Sequence, residues 1–236
     1  MKLAVIPSRG GSRRIPRKNI VDFCGRPMLE WTVIAALESS LFDRVIVSTD
    51  DEEIARVALT SGAEVPFLRN RFQDDHTPVS KVTVDLLRQL RSRDGQEFDT
   101  VVQLMPNCPL RGSTHIRASY DNFRRLDLRF QLSCCRYGWL NPLWAHRQED
   151  SGSYAPLHPG ALKQRSQDLP PLYCPTGAVW IARPSALLED ETFYGEGHSF
   201  FPLDWQASID IDEMEDIEFA RAVHYLRTQR DHGAAQ

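Results

Sequence analysis

No stretch of the 236-residue chain approaches the ~20 consecutive apolar residues of a membrane-spanning helix, so no membrane partner is expected. Cysteine is scarce and odd in number: five, two of them adjacent at Cys134-Cys135, with no Cys-x-x-Cys spacing. That pattern excludes a disulfide framework and gives no zinc-ligand set. Glycine (13) and proline (15) are too few for a collagen-like or low-complexity chain. The first apolar stretch, Met1 to Ile6, meets Pro7 at once and is too short for a secretory signal. Together these absences lead us to expect a reduced, cytoplasmic protein. Charge of neither sign dominates, and a net −4 argues against a nucleic-acid partner, whose phosphates call for a basic face.

What is present is an alternation of short β-branched runs with longer segments of helical period, the pattern of an α/β domain with a largely parallel sheet. Leu3 to Ile6, Arg44 to Ser48, Glu64 to Leu68 and Thr100 to Leu104 are expected as strands. Helices are expected over Pro27 to Ser39, from about Asp51 to Leu59, and over Val79 to Arg91. From Phe130 the pattern breaks into strand-like pieces (Gln131 to Arg136, Leu143 to His146) separated by Pro- and Gly-rich stretches. We read residues 1–236 as one domain, from which 137–172 projects as a β-rich excursion. Ala178 to Ile181 and Ser208 to Ile211 are expected as further strands, and Glu213 to Gln229 as a closing helix.

The modest net charge hides a polarity. Residues 1–26 carry Lys2, Arg9, Arg13, Arg14, Arg17, Lys18 and Arg26 against the single acid Asp22. Residues 204–218 carry Asp204, Asp210, Asp212, Glu213, Glu215, Asp216 and Glu218 and no base. Such a chain could close its two ends around an object needing both signs, such as a polyphosphate with its divalent metal. The loop after the first strand, Pro7-Ser8-Arg9-Gly10-Gly11-Ser12-Arg13-Arg14-Ile15-Pro16-Arg17-Lys18-Asn19, suits the phosphate end. A Gly-Gly pair lets backbone amides approach a ligand, and spaced cations can each grip a different phosphate oxygen. The loop lacks the Gly-Lys-Ser/Thr ending of a Walker loop and is not Gly-x-Gly-x-x-Gly. Asp210 and Asp212, at i and i+2 of an expected strand, would share one face ~6–7 Å apart and could share one hard cation. Glu213, Glu215 and Asp216 suit the N-terminus of the helix that follows.

Pro7 to Asn19 closely resembles the P-A-R-G-G-S-K-R-I-P-x-K-N signature of the acylneuraminate cytidylyltransferases. The resemblance continues in register: Gly25-Arg26-Pro27-Met28, Val47 to Ile54, Gln103 to Arg111 (QLMPNCPLR), Asp168 to Tyr173 with Gly177-Ala178, and Ile209-Asp210-Ile211-Asp212. It is similar above all to the branch acting on nonulosonates such as pseudaminic acid. The resemblance implies a Rossmann-like nucleotide-diphospho-sugar transferase fold, with a mostly parallel central sheet flanked by helices. It implies transfer of CMP from CTP to the anomeric hydroxyl of a nine-carbon α-keto acid sugar, with release of pyrophosphate and with Mg²⁺ or Mn²⁺ as cofactor. The neighbouring readings are an eight-carbon 3-deoxy acid as acceptor, or a non-catalytic nucleotide-binding regulator.

Carried over position by position, the resemblance implies CTP binding by Ser8, Arg9, Gly10, Gly11, Arg13, Lys18 and Asn19. It implies sugar contacts by Gln103, Arg111 and His76, metal binding by Asp210 and Asp212, and catalysis by Arg9, Lys18, Asp210 and Asp212. It also implies that 137–172 is a dimerisation arm of a homodimer, with Lys163 or Arg165 in the stretch that would donate a base to the partner's cleft. Asn107 and Thr176 depart from the family's Thr/Ser and Asn, on the acceptor side. Thr49, Asp50 or Asp51 is expected to cap the second helix, with a contribution of Asp50 and Asp51 to the site as the alternative, and Cys108 is not expected to act as a nucleophile.

Overall fold

The β-branched runs become strands of a six-stranded sheet. A computed structural model of the chain describes residues 1–74 and 77–233. In chain order the elements are β1 (Lys2–Pro7), β2 (Asp22–Phe23), β3 (Arg26–Pro27), α1 (Met28–Glu38), β4 (Arg44–Ser48), α2 (Glu52–Thr60), α3 (Val79–Asp94) and β5 (Thr100–Gln103). There follow α4 (Ser113–Arg125), β6 (Phe130–Arg136), β7 (His146–Gln148), β8 (Tyr154–Pro156), β9 (Tyr173–Ala182), α5 (Pro184–Asp190), β10 (Ser199–Leu203) and α6 (Met214–Gly233). The sheet order is β10-β6-β9-β5-β1-β4, and β9 alone runs antiparallel to its neighbours.

Alternation along β1 builds both faces of the core. Ala4 and Ile6 pack with Leu29, Val33 and Ala36 of α1 and with Ile116 and Phe123 of α4. Leu3 and Val5 turn the other way, against Val84, Leu87 and Leu90 of α3 and Leu187 of α5. A buried strand covered on both faces needs a continuous apolar run, which is what this segment supplies. A third, smaller cluster joins Ile15 of the N-terminal loop, Phe23, Met28 and Leu110 to Ile211 and to Ile217, Ala220 and Val223 at the C-terminal end. That cluster brings the two oppositely charged ends of the chain together.

Several expectations are corrected. Glu64 to Leu68 makes one bridge, Glu64 to Ile46, and no strand, because Pro66 offers no N–H to continue a ladder. Ser208 to Ile211 joins no strand either: the chain turns at 205–208 and meets the β5 loop through one backbone bond, from the Ile211 amide to the Asn107 carbonyl. Leu143 to His146 is a 3-10 turn at Pro142–Trp144, followed by β7, which pairs only with β8. Elements also arise where none was expected: the helices α4 and α5, the sheet strand β10, and the short strands β2, β3 and β8. The buried residues of α4 are only Ile116, Ser119 and Phe123, so its apolar stripe is thin in a charged segment.

Asp51 caps α2, its carboxylate accepting from the amides of Glu53 and Ile54 at 2.9 Å each, an arrangement that contributes about 1 kcal/mol. No helix among the described residues is long and apolar enough to cross a membrane.

Candidate active site

β1 and β5 lie side by side, and the chain leaving each lines one cavity of about 350 Å³ at their carboxyl ends. In an open α/β sheet this edge is where ligands bind, because the loops there are free to diverge. From β1 come Pro7, Arg9, Ser12, Arg14, Lys18 and Asn19; from β5 come Met105, Pro106 and Asn107. Asp210 and Asp212 close the opposite wall, and Arg69, Phe72, Asp74 and Thr77 complete the rim.

The basic wall is folded by its own polar contacts. Asn19 is buried and donates from Nδ2 to the Arg9 carbonyl at 2.9 Å, which doubles the loop back on itself. Lys18 Nζ donates to the Ile211 carbonyl at 2.9 Å and to Asp212 Oδ1 at 2.8 Å. Arg14 reaches the other Asp212 oxygen at 2.8 Å. The cationic and anionic ends of the chain therefore meet in the cleft as ion pairs.

The two aspartates differ. Burial, reinforced by the like charge of Asp212, pushes the Asp210 carboxyl up to about 6. Burial acts against the Asp212 carboxylate as well, but the Lys18 ammonium and the Arg14 guanidinium outweigh it and hold Asp212 below the usual carboxylate range. Asn107 fixes the segment: its Nδ2 donates to Asp210 Oδ1 and, at 3.1 Å, to the Ile211 carbonyl. The Asn107 carbonyl in turn accepts from the Ile211 amide at 2.9 Å.

Of the expected nucleotide-side residues, the structure brings Arg9, Lys18 and Asn19 to the cavity together with Asp210 and Asp212. Ser8, Gly10, Gly11 and Arg13 are not among its lining. The Ser8 amide donates to the Ser48 carbonyl at 2.9 Å, extending the β1–β4 edge, while its hydroxyl is buried with no partner among the described residues. The Gly-Gly pair works differently from the expectation of two amides facing a ligand. The Gly10 amide is taken by Asp50 Oδ1 at 3.0 Å, and a Cβ there would stand 2.8 Å from Asp51 Oδ2. Gly10 is thus required by the close approach of the α2 cap, whereas Gly11 faces open space.

Of the expected sugar-side residues, Gln103 is fully buried behind the cleft, accepting from Thr83 Oγ1 at 2.7 Å and leaving Nε2 without a partner among the described residues. Arg111 does not reach the cavity. It is packed under the loop, donating to Thr32 Oγ1 at 2.8 Å and to the Met105 carbonyl at 3.2 Å, and burial lowers its pKa to about 10. Its motif neighbours line the cleft, but the chain turns inward at Pro109 and buries the guanidinium. His76 lies outside the described residues; on either side of it, Asp74 and Thr77 line the rim and bond to each other at 2.7 and 2.8 Å. Arg165 pairs with Asp168 at 2.7 Å on the exposed excursion. Burial pushes the Cys108 thiol far up, which leaves it inert as a nucleophile.

The residue that sequence reasoning missed is Arg69. It is buried, donates to the Ser48 carbonyl at 3.1 Å, lies 3.8 Å from Asp50, and burial depresses its pKa. Its Nε has no partner among the described residues, although it lines the cavity. Buried polar atoms are nearly always paired, so Arg69 Nε and Asn107 Oδ1 together mark a cleft shaped for a polar ligand. No sequence signal marked Arg69, since it stands in an irregular stretch outside any recognisable motif.

The acidic wall fits a hard cation. Its donors are oxygens only, two carboxylates and the unpartnered Asn107 Oδ1, and a cation between the carboxylates would offset the burial and the like charge that raise Asp210. Among the described residues no cluster of three His, Cys, Asp or Glu could hold a metal alone, so substrate oxygens or water would complete the shell.

Comparison with known proteins adds a family model, described as cytidylyltransferase, that matches residues 3–128. The chain is 34% identical over 223 residues to the pseudaminic acid cytidylyltransferase of Campylobacter jejuni, covering 94% of this chain and 95% of that one. It is 33% identical to the CMP-N,N'-diacetyllegionaminic acid synthase of Legionella pneumophila, over 82% and 83% of the two chains. Among solved structures, a CMP:2-keto-3-deoxy-manno-octonic acid synthetase complexed with CTP superposes with TM-score 0.70 at 18% identity, covering 96% of this chain and 99% of that one. A 4-diphosphocytidyl-2C-methyl-D-erythritol synthase from Anaerococcus prevotii does so with TM-score 0.65 at 15% identity, covering 96% and 98%. At those identities the likeness speaks for the fold.

Proposed function

Because this chain belongs to the cytidylyltransferase family, we propose that its cleft transfers CMP from CTP to the anomeric hydroxyl of a nine-carbon α-keto acid sugar and releases pyrophosphate. The observation that carries this reading is the meeting of a cationic loop (Arg9, Lys18) and an acid pair (Asp210, Asp212) across one cavity at the carboxyl ends of the strands. Displacement at the α-phosphorus asks for positioning, neutralisation of the leaving group and an electrophilic phosphate, and the cleft has a group for each.

Arg9 and Lys18 grip the triphosphate, and Asn19 holds the loop that aims Arg9. Lys18 changes partners on binding, from Asp212 to phosphate oxygen, which frees a carboxylate at the moment the nucleotide arrives. Asp210 and Asp212, with Asn107 Oδ1, would hold Mg²⁺ or Mn²⁺, which when bound polarises the α-phosphate and offsets the charge of the departing pyrophosphate. Gln103, with its unpartnered amide nitrogen, serves the acceptor side. Two similarities, to a pseudaminic acid and a legionaminic acid enzyme, support a nonulosonate acceptor. We further propose a homodimer formed through 137–172, on which Trp139 (86% exposed), Leu140 and Tyr154 present apolar surface to solvent.

Pyrophosphate release from CTP and Mg²⁺ with pseudaminic, legionaminic, N-acetylneuraminic and eight-carbon 3-deoxy acids tests the reading. Turnover with one nine-carbon acid is expected. Turnover with the eight-carbon acid alone would move the acceptor to the neighbouring class, and silence with every acid would leave a nucleotide-binding regulator.

A further inference from the structure

β6 and β9 are antiparallel, and their final register pairs are Cys134 with Pro175, Cys135 with Cys174, and Arg136 with Tyr173. Beyond the last pair the chain departs into 137–172. Directly opposed residues of an antiparallel pair have Cα atoms ~4.5–5.5 Å apart and side chains on one face. A disulfide spans Cα separations of ~4.4–6.8 Å, so Cys135 and Cys174 can be joined without moving either strand. Both are half-buried and free thiols, within reach of a small reagent. Cys134 alternates to the other face and is buried, while Cys24 belongs to the hairpin turn between β2 and β3 and Cys108 to the loop after β5. The Cys174 thiol donates to the Pro175 carbonyl at 3.5 Å, which holds its sulfur at the end of the ladder. The nucleotidyl-transfer reading uses neither thiol.

We propose that Cys135 and Cys174 form a reversible disulfide, a thiol–disulfide exchange site at the neck of the 137–172 excursion. The oxidant is a low-molecular-weight disulfide of the glutathione class. One cysteine thiolate attacks it, forming a mixed disulfide and expelling one small thiolate. The second cysteine then attacks the protein sulfur and expels the other. Two protein thiols become one disulfide, the small disulfide becomes two thiols, and the protons lost by the cysteines end on the departing sulfurs. The bond closes the excursion as a covalent loop and ties β6 to the strand whose Gly177 carbonyl accepts from the Met105 amide at 3.2 Å at the cleft wall.

The test is incubation of the full chain with excess oxidised glutathione, followed by alkylation and non-reducing peptide mapping. Two of the five thiols should become unavailable, one peptide pair linked through Cys135 and Cys174 should appear, and dithiothreitol should reverse both. The thermal midpoint should rise on oxidation, since a cross-link removes freedom from the unfolded chain. Cys174→Ser and, separately, Cys135→Ala should abolish the linked pair and the rise. A map in which Cys135 and Cys174 stay alkylatable, carry only glutathione, or are linked to Cys134 would overturn the assignment.

Discussion

The basic wall of the cleft hangs from β1, a strand paired on both sides, whereas the acidic wall crosses the same opening without joining any ladder. The loop after β1 is anchored by the Ser8–Ser48 backbone bond, by Asp50 on Gly10 and by the Asn19–Arg9 bond. The 209–212 segment has one backbone bond to the β5 loop, the Asn107 amide, and Ile211 in a small apolar cluster. Side-chain bonds hold both walls, but only the basic one continues directly from a strand of the sheet. Removing a side chain that anchors the acidic wall should therefore disturb its geometry, whereas an isosteric loss of charge on either wall should not.

The largest effect should come from Asp212→Asn, which keeps the shape and removes the carboxylate proposed for the metal. Turnover should fall about 10²–10³-fold, or ~3–4 kcal/mol of transition-state stabilisation, with the thermal midpoint nearly unchanged. Steady-state pyrophosphate release measures this, and normal turnover would remove Asp212 from the metal site. Next is Lys18→Ala. Loss of a charge-assisted bond is worth ~1.5–3 kcal/mol, so the KM for CTP should rise by about tenfold or more while the KM for the acceptor stays close to wild type.

Asn107→Ala sharpens the contrast between the walls. It leaves the Asp210 carboxylate and the Ile211 carbonyl short of a donor, at ~1–3 kcal/mol, so both urea stability and turnover should drop. A variant with full stability and unaltered turnover would show that the acidic wall does not depend on this side chain. The smallest effect is Asp51→Ala, which should cost about 1 kcal/mol at neutral pH. Burial opposes the Asp51 charge, but the Ile54 amide, Arg17 and the Glu53 amide hold its pKa below the ordinary value of 3.8. A depressed carboxylate stabilises the fold above its unfolded pKa, and that contribution fades as pH falls through the lower folded value. The gap between variant and wild type should accordingly close in acid, which urea midpoints across that range would reveal.

The same contrast explains what could be read in the chain. β1, β4, β5 and α1 to α3 were legible because each carries an apolar run or a helical stripe that needs no tertiary context. The meeting of Arg9, Lys18 and Asn19 with Asp210 and Asp212 was legible through charge polarity and through motif. The strand expected at Ser208 to Ile211 was not formed, because alternating Ile and Asp imitates an edge strand while the amides find partners in a loop. β10 hides an ordinary ladder in a Phe- and Pro-containing segment, Ser199–Leu203, whose Pro202 reads as a breaker. Arg69 was illegible because its burial depends on the fold of segments far from it in sequence, and Arg111 looked functional because motif membership says nothing of where the side chain turns.

The mutual neutralisation of Lys18, Arg14 and Asp212 has a consequence for ionic strength. Among the described residues lining the cavity, four cations face three carboxylates, so the empty cleft is close to electroneutral. A nucleotide entering with its divalent ion also brings both signs. Binding then resembles an exchange of partners more than the quenching of a bare basic patch, and few counterions are displaced from the protein. Under the function proposed above, the cleft should discriminate against a polyanion arriving without its cation, and do so over a wide range of salt.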